Sequence, residues 1–109
     1  AVVAANLRGS DVFGRWGGEE FLIACPGMRV RDAARLAEKL RERVQSSEVI
    51  IPGGRITVSA SFGVSVAPPG SATADALKRA DEALYRAKEA GRNRVEIDPT
   101  VRSDAQTTM

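Results

Sequence analysis

Val12-Phe13-Gly14-Arg15-Trp16-Gly17-Gly18-Glu19-Glu20-Phe21-Leu22-Ile23-Ala24-Cys25 contains two short runs of strand-forming residues around a tight break. Val12 to Trp16 and Phe21 to Cys25 are rich in apolar and aromatic side chains, which suit a pleated, half-buried surface. Gly17, Gly18, Glu19 and Glu20 lie between them. Paired glycines between such runs predict a hairpin, because a tight turn demands backbone angles that residues with a Cβ resist. Pro26-Gly27 closes the second strand.

Upstream, Arg8-Gly9-Ser10-Asp11 reads as a turn, and residues 1–7 as the last turns of a helix. Downstream, Val30, Ala33, Ala37, Leu40 and Val44 recur at spacings of three and four. That stripe predicts a helix over Val30–Val44, with Arg35 and Lys39 on the opposite face one turn apart. Ile50-Ile51-Pro52-Gly53-Gly54 suggests a small turn or hairpin. Arg55 to Val66 alternates apolar and small polar residues with a period of two, which predicts one long strand. Thr73 to Ala90 carries a second helical stripe at Leu77, Ala80, Leu84 and Ala87, with Thr73 as N-cap and Gly91 as the helix-ending residue. Val95–Ile97 is a short last strand, and the polar residues from Pro99 are expected to fray.

This order predicts an α+β fold with a ferredoxin-like or palm-type antiparallel sheet and helices packed on it. The pattern is short by one strand and one helix at its beginning. The domain is expected over residues 1–98, with 99–109 a disordered polar tail.

Composition narrows the function classes. The chain has 109 residues, 43% hydrophobic and 28% charged, values suited to one globular domain. A net charge of +2 with interspersed signs argues against a nucleic-acid polymer as partner. One cysteine, Cys25, forms neither an intrachain disulfide nor a multi-cysteine metal site. No apolar run has transmembrane length and no signal peptide is visible, which predicts a cytoplasmic domain or the cytoplasmic part of a membrane-anchored protein. With no histidine, any catalysis must use carboxylates, hydroxyls, amines, backbone amides or a metal on oxygen ligands.

Four groups of residues carry possible chemistry. Glycines such as Gly17 and Gly18 let backbone N–H groups approach a phosphate closely, and the adjacent carboxylates of Glu19 and Glu20 could hold Mg²⁺, which completes its shell with substrate phosphates. A solvated hairpin tip has the same composition. Lys88 and Arg92 flank the end of the second helix, where cations complement the helix dipole or could clamp phosphate oxygens. Arg8 and Asp11 form an R-x-x-D unit, either a salt-bridged turn or a site for a phosphorylated or guanine-bearing ligand. Arg35 and Lys39 read as a solvated helical face by default, and as an anion site only by association.

Taken together, these groups resemble one family. Arg15-x-Gly17-Gly18-Glu19-Glu20-Phe21 followed by Pro26 is similar to the R-x-G-G-[DE]-E-F signature of GGDEF domains, the catalytic units of bacterial diguanylate cyclases. Arg8-x-x-Asp11 stands at the family's separation for its inhibitory site, and Thr57 to Val64 resembles its long strand. Ala80-Asp81-x-Ala83-Leu84-Tyr85-x-Ala87-Lys88 and Gly91-Arg92-Asn93 resemble its closing helix and turn. The resemblance runs from about Val2 to Ile97.

The resemblance implies that two GTP molecules condense into cyclic di-GMP with loss of pyrophosphate, each of two domains presenting one GTP across a homodimer with Mg²⁺ or Mn²⁺ between. By position it implies that Gly17 and Gly18 line the phosphate site, and that Glu19 ligates metal and helps activate the attacking 3′-hydroxyl. Glu20 also serves the metal, and Lys88 and Arg92 hold the terminal phosphates. Arg8 and Asp11 would bind the product as a feedback inhibitor, with Arg35 a second contact. Lys39 sits where many members have Arg and lacks its bidentate fork. A sensory or regulatory domain is expected upstream.

The family's N-terminal segment, with a metal-ligating Asp and the groups that read guanine, has no counterpart in these residues. The 109 residues alone are therefore expected to lack cyclase activity, and to be unstable as a monomer or to complete their sheet by exchange with a second copy. Two other readings stand beside this one. A degenerate module would sense cyclic di-GMP through Arg8, Asp11 and Arg35, though paired Glu19 and Glu20 would then have no use. A ferredoxin-like RNA binder would stack bases on sheet aromatics, but the polar row of the long strand carries none.

Overall fold

The computed structural model describes residues 12–17, 20–24 and 27–101. The elements run β1 (Val12–Gly17), β2 (Glu20–Ala24), α1 (Val30–Ser46), β3 (Glu48–Ile51), β4 (Gly54–Thr57), β5 (Phe62–Val64), α2 (Thr73–Glu89) and β6 (Val95–Ile97). The predicted helix end over residues 1–7, the turn at Arg8–Asp11, and residues 102–109 of the tail expected over 99–109 lie outside the described residues; at the start of that tail Thr100 is hydrogen-bonded to Asp98.

β1 and β2 form the antiparallel hairpin that the glycine pair predicts. Phe13 faces Ile23, Arg15 faces Phe21 and Gly17 faces Glu20. The register shifts between Arg15 and Gly17, a bulge of the kind that bends a strand and re-aims its neighbours.

β3 and β4 make a second hairpin, as the Pro-Gly-Gly sequence suggests. Ile51 pairs with Gly54 across a Pro52-Gly53 turn, and Gly53 takes a φ of 93° that a Cβ would strain. Every residue of both strands is exposed, including Ile50 at 79%.

The long strand expected over Arg55–Val66 is divided. β4 ends at Thr57, residues 58–61 join no ladder, and β5 begins at Phe62. The alternation continues through the break, but the hydrogen-bonding partner changes from β3 to β6. A two-residue period reports which side chains share a face and is silent on which backbone lies alongside.

β5 and β6 are parallel, Phe62 facing Val95 and Val64 facing Ile97, with α2 as the connection between them. A parallel pair needs such a crossover. Both helices pack on this pair. The described core holds Val30, Ala37 and Leu40 from α1, Val66 and Ala67 beyond β5, and Ala76, Ala83 and Ala87 from α2.

α1 buries Val30, Ala37 and Leu40 of the predicted stripe and leaves Ala33 and Val44 half-buried. On α2 the buried line is shifted: Ala76, Ala83 and Ala87 are buried, while Leu77, Ala80 and Leu84 are half-buried. Gly63 explains the shift. A Cβ there would stand 2.1 Å from the Ala80 carbonyl oxygen and 2.4 Å from the Leu84 nitrogen. The backbones of β5 and α2 thus meet at a distance that only small residues permit, so the alanine face turns inward and the leucines move to its flank. Tyr85 is 64% exposed. Thr73 is the first helical residue, and the N-cap is Ala72 without a side-chain cap.

Among the described residues no helix is long and apolar enough to cross a membrane.

Candidate active site

α2 ends in a tightly bonded reversal. The Arg92 N–H donates to the Ala87 carbonyl at 2.9 Å and the Gly91 N–H to the Lys88 carbonyl at 3.3 Å, a pattern that satisfies carbonyls the helix end leaves open. Gly91 takes a φ of 121°, as its position predicts. Arg92 and Asn93 follow at 63° and 49°, a left-handed conformation that residues with a Cβ adopt at a cost. Arg92 is exposed and Lys88 half-buried, so two cations stand at one end of α2, four residues apart.

The turn is held on two sides. The Asn93 N–H donates to Ser61 Oγ at 3.0 Å, just before β5. The Asn93 side chain accepts at Oδ1 from Arg41 Nη1, also at 3.0 Å. The Phe62 N–H donates to the Arg94 carbonyl at 2.9 Å and starts the β5–β6 ladder. Arg41 also forks onto Glu38, Nε donating to Oε2 at 2.9 Å and Nη2 to Oε1. That hydrogen bond, with the guanidinium charge, outweighs burial and holds the Glu38 carboxyl below the usual carboxylate range. Arg41 and Ser61 escaped the functional reading of the sequence. Arg41 follows buried Ala37 by one helical turn, and a charge on the buried side of a stripe signals a partner.

Of the acidic pair, Glu20 belongs to the β1–β2 hairpin. Glu20 opens β2 opposite Gly17, so Gly18 and Glu19 are the two residues between paired positions. Gly18 and Glu19 themselves are outside the described residues, as are Arg8 and Asp11. Among the described residues no group of three or more acidic or cysteine side chains could hold a metal. The pair Glu19 and Glu20 still fits Mg²⁺ by donor chemistry, since that ion takes one or two carboxylates and leaves the rest of its shell to phosphates and water. Arg35 and Lys39 are both exposed on α1, one turn apart as the stripe predicts.

A family model described as the diguanylate cyclase GGDEF domain matches residues 1–94. The response regulator PleD of Caulobacter vibrioides is 43% identical over 96 residues, which are 85% of this chain and 21% of PleD. The chain therefore spans about a fifth of that curated relative. The active GGEEF domain of a diguanylate cyclase from Vibrio cholerae superposes with a TM-score of 0.78 at 33% identity, over 92% of this chain and 64% of that one. The GGDEF domain of DgcB from Caulobacter crescentus, in complex with c-di-GMP, superposes at 0.71 with 27% identity, over 91% of this chain and 60% of that one. Sequence signature, α+β architecture and matched length agree, and the chain belongs to the diguanylate cyclase GGDEF domain family.

Proposed function

We propose that residues 1–98 are the C-terminal two-thirds of a GGDEF domain that condenses two GTP into cyclic di-GMP with release of pyrophosphate. The observation that carries this reading is the bulged β1–β2 hairpin, in which Gly17 pairs with Glu20 and the register shifts between Arg15 and Gly17. A bulge beside a glycine tip suits a loop that must bring backbone N–H groups and carboxylates to one phosphate chain.

Gly17 and Gly18 line the phosphates, and Glu19 and Glu20 supply oxygen donors to a divalent cation. Family membership implies a divalent-metal requirement, and Mg²⁺ or Mn²⁺ would neutralise phosphate charge there. Glu19 also orients and accepts the proton of the attacking 3′-hydroxyl. Lys88 and Arg92 hold the terminal phosphates that depart as pyrophosphate. The partner is a second GGDEF domain presenting the other GTP, with a regulatory domain upstream and the reaction in the cytoplasm. The 109 residues by themselves do not turn over GTP, since they supply no further metal-ligating Asp and no guanine-reading groups.

A second role is product binding. Arg8 and Asp11 would take cyclic di-GMP as a feedback inhibitor, joined by Arg35 and Lys39, whose shared exposed face supports an anion contact. A degenerate sensor would use the same residues without catalysis.

The test is GTP turnover by the complete polypeptide that carries these residues, beside its Glu19→Ala, Lys88→Ala and Arg8→Ala variants. Loss of product in the first two, with turnover kept and cyclic di-GMP inhibition lost in the third, is the expected result. Full turnover in Glu19→Ala would reject the reading. Binding of cyclic di-GMP without any turnover of GTP would select the sensor.

A further inference from the structure

We propose that Arg41 is a positioning residue for nucleotide binding, acting through Asn93 to hold the 91–93 turn and so the aim of Arg92. The inference rests on the reading of Arg92 as a phosphate contact and adds a residue that reading does not use.

Arg92 occupies a left-handed backbone conformation with a φ of 63°, and Asn93 follows at 49°. Two successive residues with a Cβ in that region carry a backbone cost that outside contacts can offset. Their support comes from two elements distant in sequence. Ser61 accepts the Asn93 N–H, and Arg41 on α1 donates to the Asn93 side chain. The Arg41 side chain is only 16% exposed, and its guanidinium is itself locked by the Glu38 fork and by a 3.1 Å bond to Gln45 Oε1. A rigid, partly desolvated guanidinium is a fixed peg, whereas a solvated lysine on the same helix would not be. Arg92 is exposed, and the backbone of the turn sets the direction of its Cα–Cβ bond. An anchor of this kind fixes the approach of a charged group to a ligand before the ligand arrives.

The experiment measures the affinity of GTP with Mg²⁺ by calorimetry, on the complete polypeptide that carries these residues. The variants are Arg41→Gln, Arg92→Ala, the double variant, Asn93→Asp and Asn93→Leu. Arg41→Gln is expected to weaken binding about tenfold. In the Arg92→Ala background the same change should add nothing, because its effect passes through Arg92. Asn93→Asp keeps the Oδ1 acceptor and should bind GTP more tightly than Asn93→Leu, which should match Arg41→Gln. A merely structural arginine would lower the melting temperature and weaken binding equally in both backgrounds.

Parent-like affinity in Arg41→Gln beside weakened Arg92→Ala overturns the positioning role alone, as does full additivity in the double variant. If Arg92→Ala itself binds like the parent, the phosphate reading fails and takes this inference with it. Should Arg41→Gln not fold, the Asn93→Asp and Asn93→Leu pair decides: equal affinities overturn the proposal.

Discussion

Asp98, only 4% exposed just past β6, accepts a 2.7 Å hydrogen bond at Oδ2 from Nε of Arg79 on α2. Nη2 of the same arginine donates to the Val66 carbonyl at 2.7 Å, so one guanidinium joins α2, the strand exit after β5 and the end of β6. The Thr100 N–H and hydroxyl complete the shell of Asp98. A carboxylate this buried survives only when its oxygens are occupied, and here they are.

The pair predicts an acid-sensitive fold. Burial alone would raise the Asp98 pKa, but the hydrogen bonds from Thr100 and Arg79, with the arginine charge, hold it below the usual carboxylate value. A carboxyl depressed on folding adds stability that is complete above its unfolded pKa of about 3.9 and is lost as pH falls through the lower folded value. Asp98→Ala should cost about 2 kcal/mol near neutral pH, less than a fully buried pair because Arg79 remains partly solvated. Urea unfolding of parent and variant from pH 7 down to pH 2 should show the difference shrinking in the acid limb. A difference independent of pH would contradict the assignment.

Gly63→Ala should be among the most damaging single-methyl additions. The new Cβ would meet backbone atoms of Ala80 and Leu84, and backbone cannot turn aside as a side chain does. A loss of about 3 kcal/mol is expected, read as a lower denaturation midpoint at unchanged slope. A stable Gly63→Ala variant would mean that α2 does not lie against β5 at this distance.

Arg92→Gly separates stability from ligand contact. Glycine relieves the left-handed strain at φ 63° but also frees the unfolded chain, so the net change should stay within about 1 kcal/mol. Removing the guanidinium should nevertheless weaken GTP binding, if Arg92 holds a phosphate. Differential scanning calorimetry beside GTP titration reads both effects. Stability lost by several kcal/mol would show instead that the Arg92 side chain serves the fold.

What could be read from the residues was whatever depends on near neighbours. The stripe at Val30, Ala37 and Leu40 determined α1, because burying one face of a helix needs only a spacing of three and four. Gly17-Gly18 between apolar runs determined the first hairpin, and Pro52-Gly53 the second, because turn geometry is local. The signature around Glu19 and Glu20 determined the family for the same reason: it is a contiguous string.

Tertiary structure decided the rest. The alternation over Arg55–Val66 is one pattern shared by two strands with different partners, and no side-chain period encodes a partner. The inward face of α2 was decided by the close approach of Gly63, not by its leucines. Arg41 and Asn93 meet across 52 residues, and Arg79 and Asp98 across 19, so each pair exists only once the chain has folded. Charges this common on a sequence gain meaning when folding removes water from around them and leaves one partner within reach.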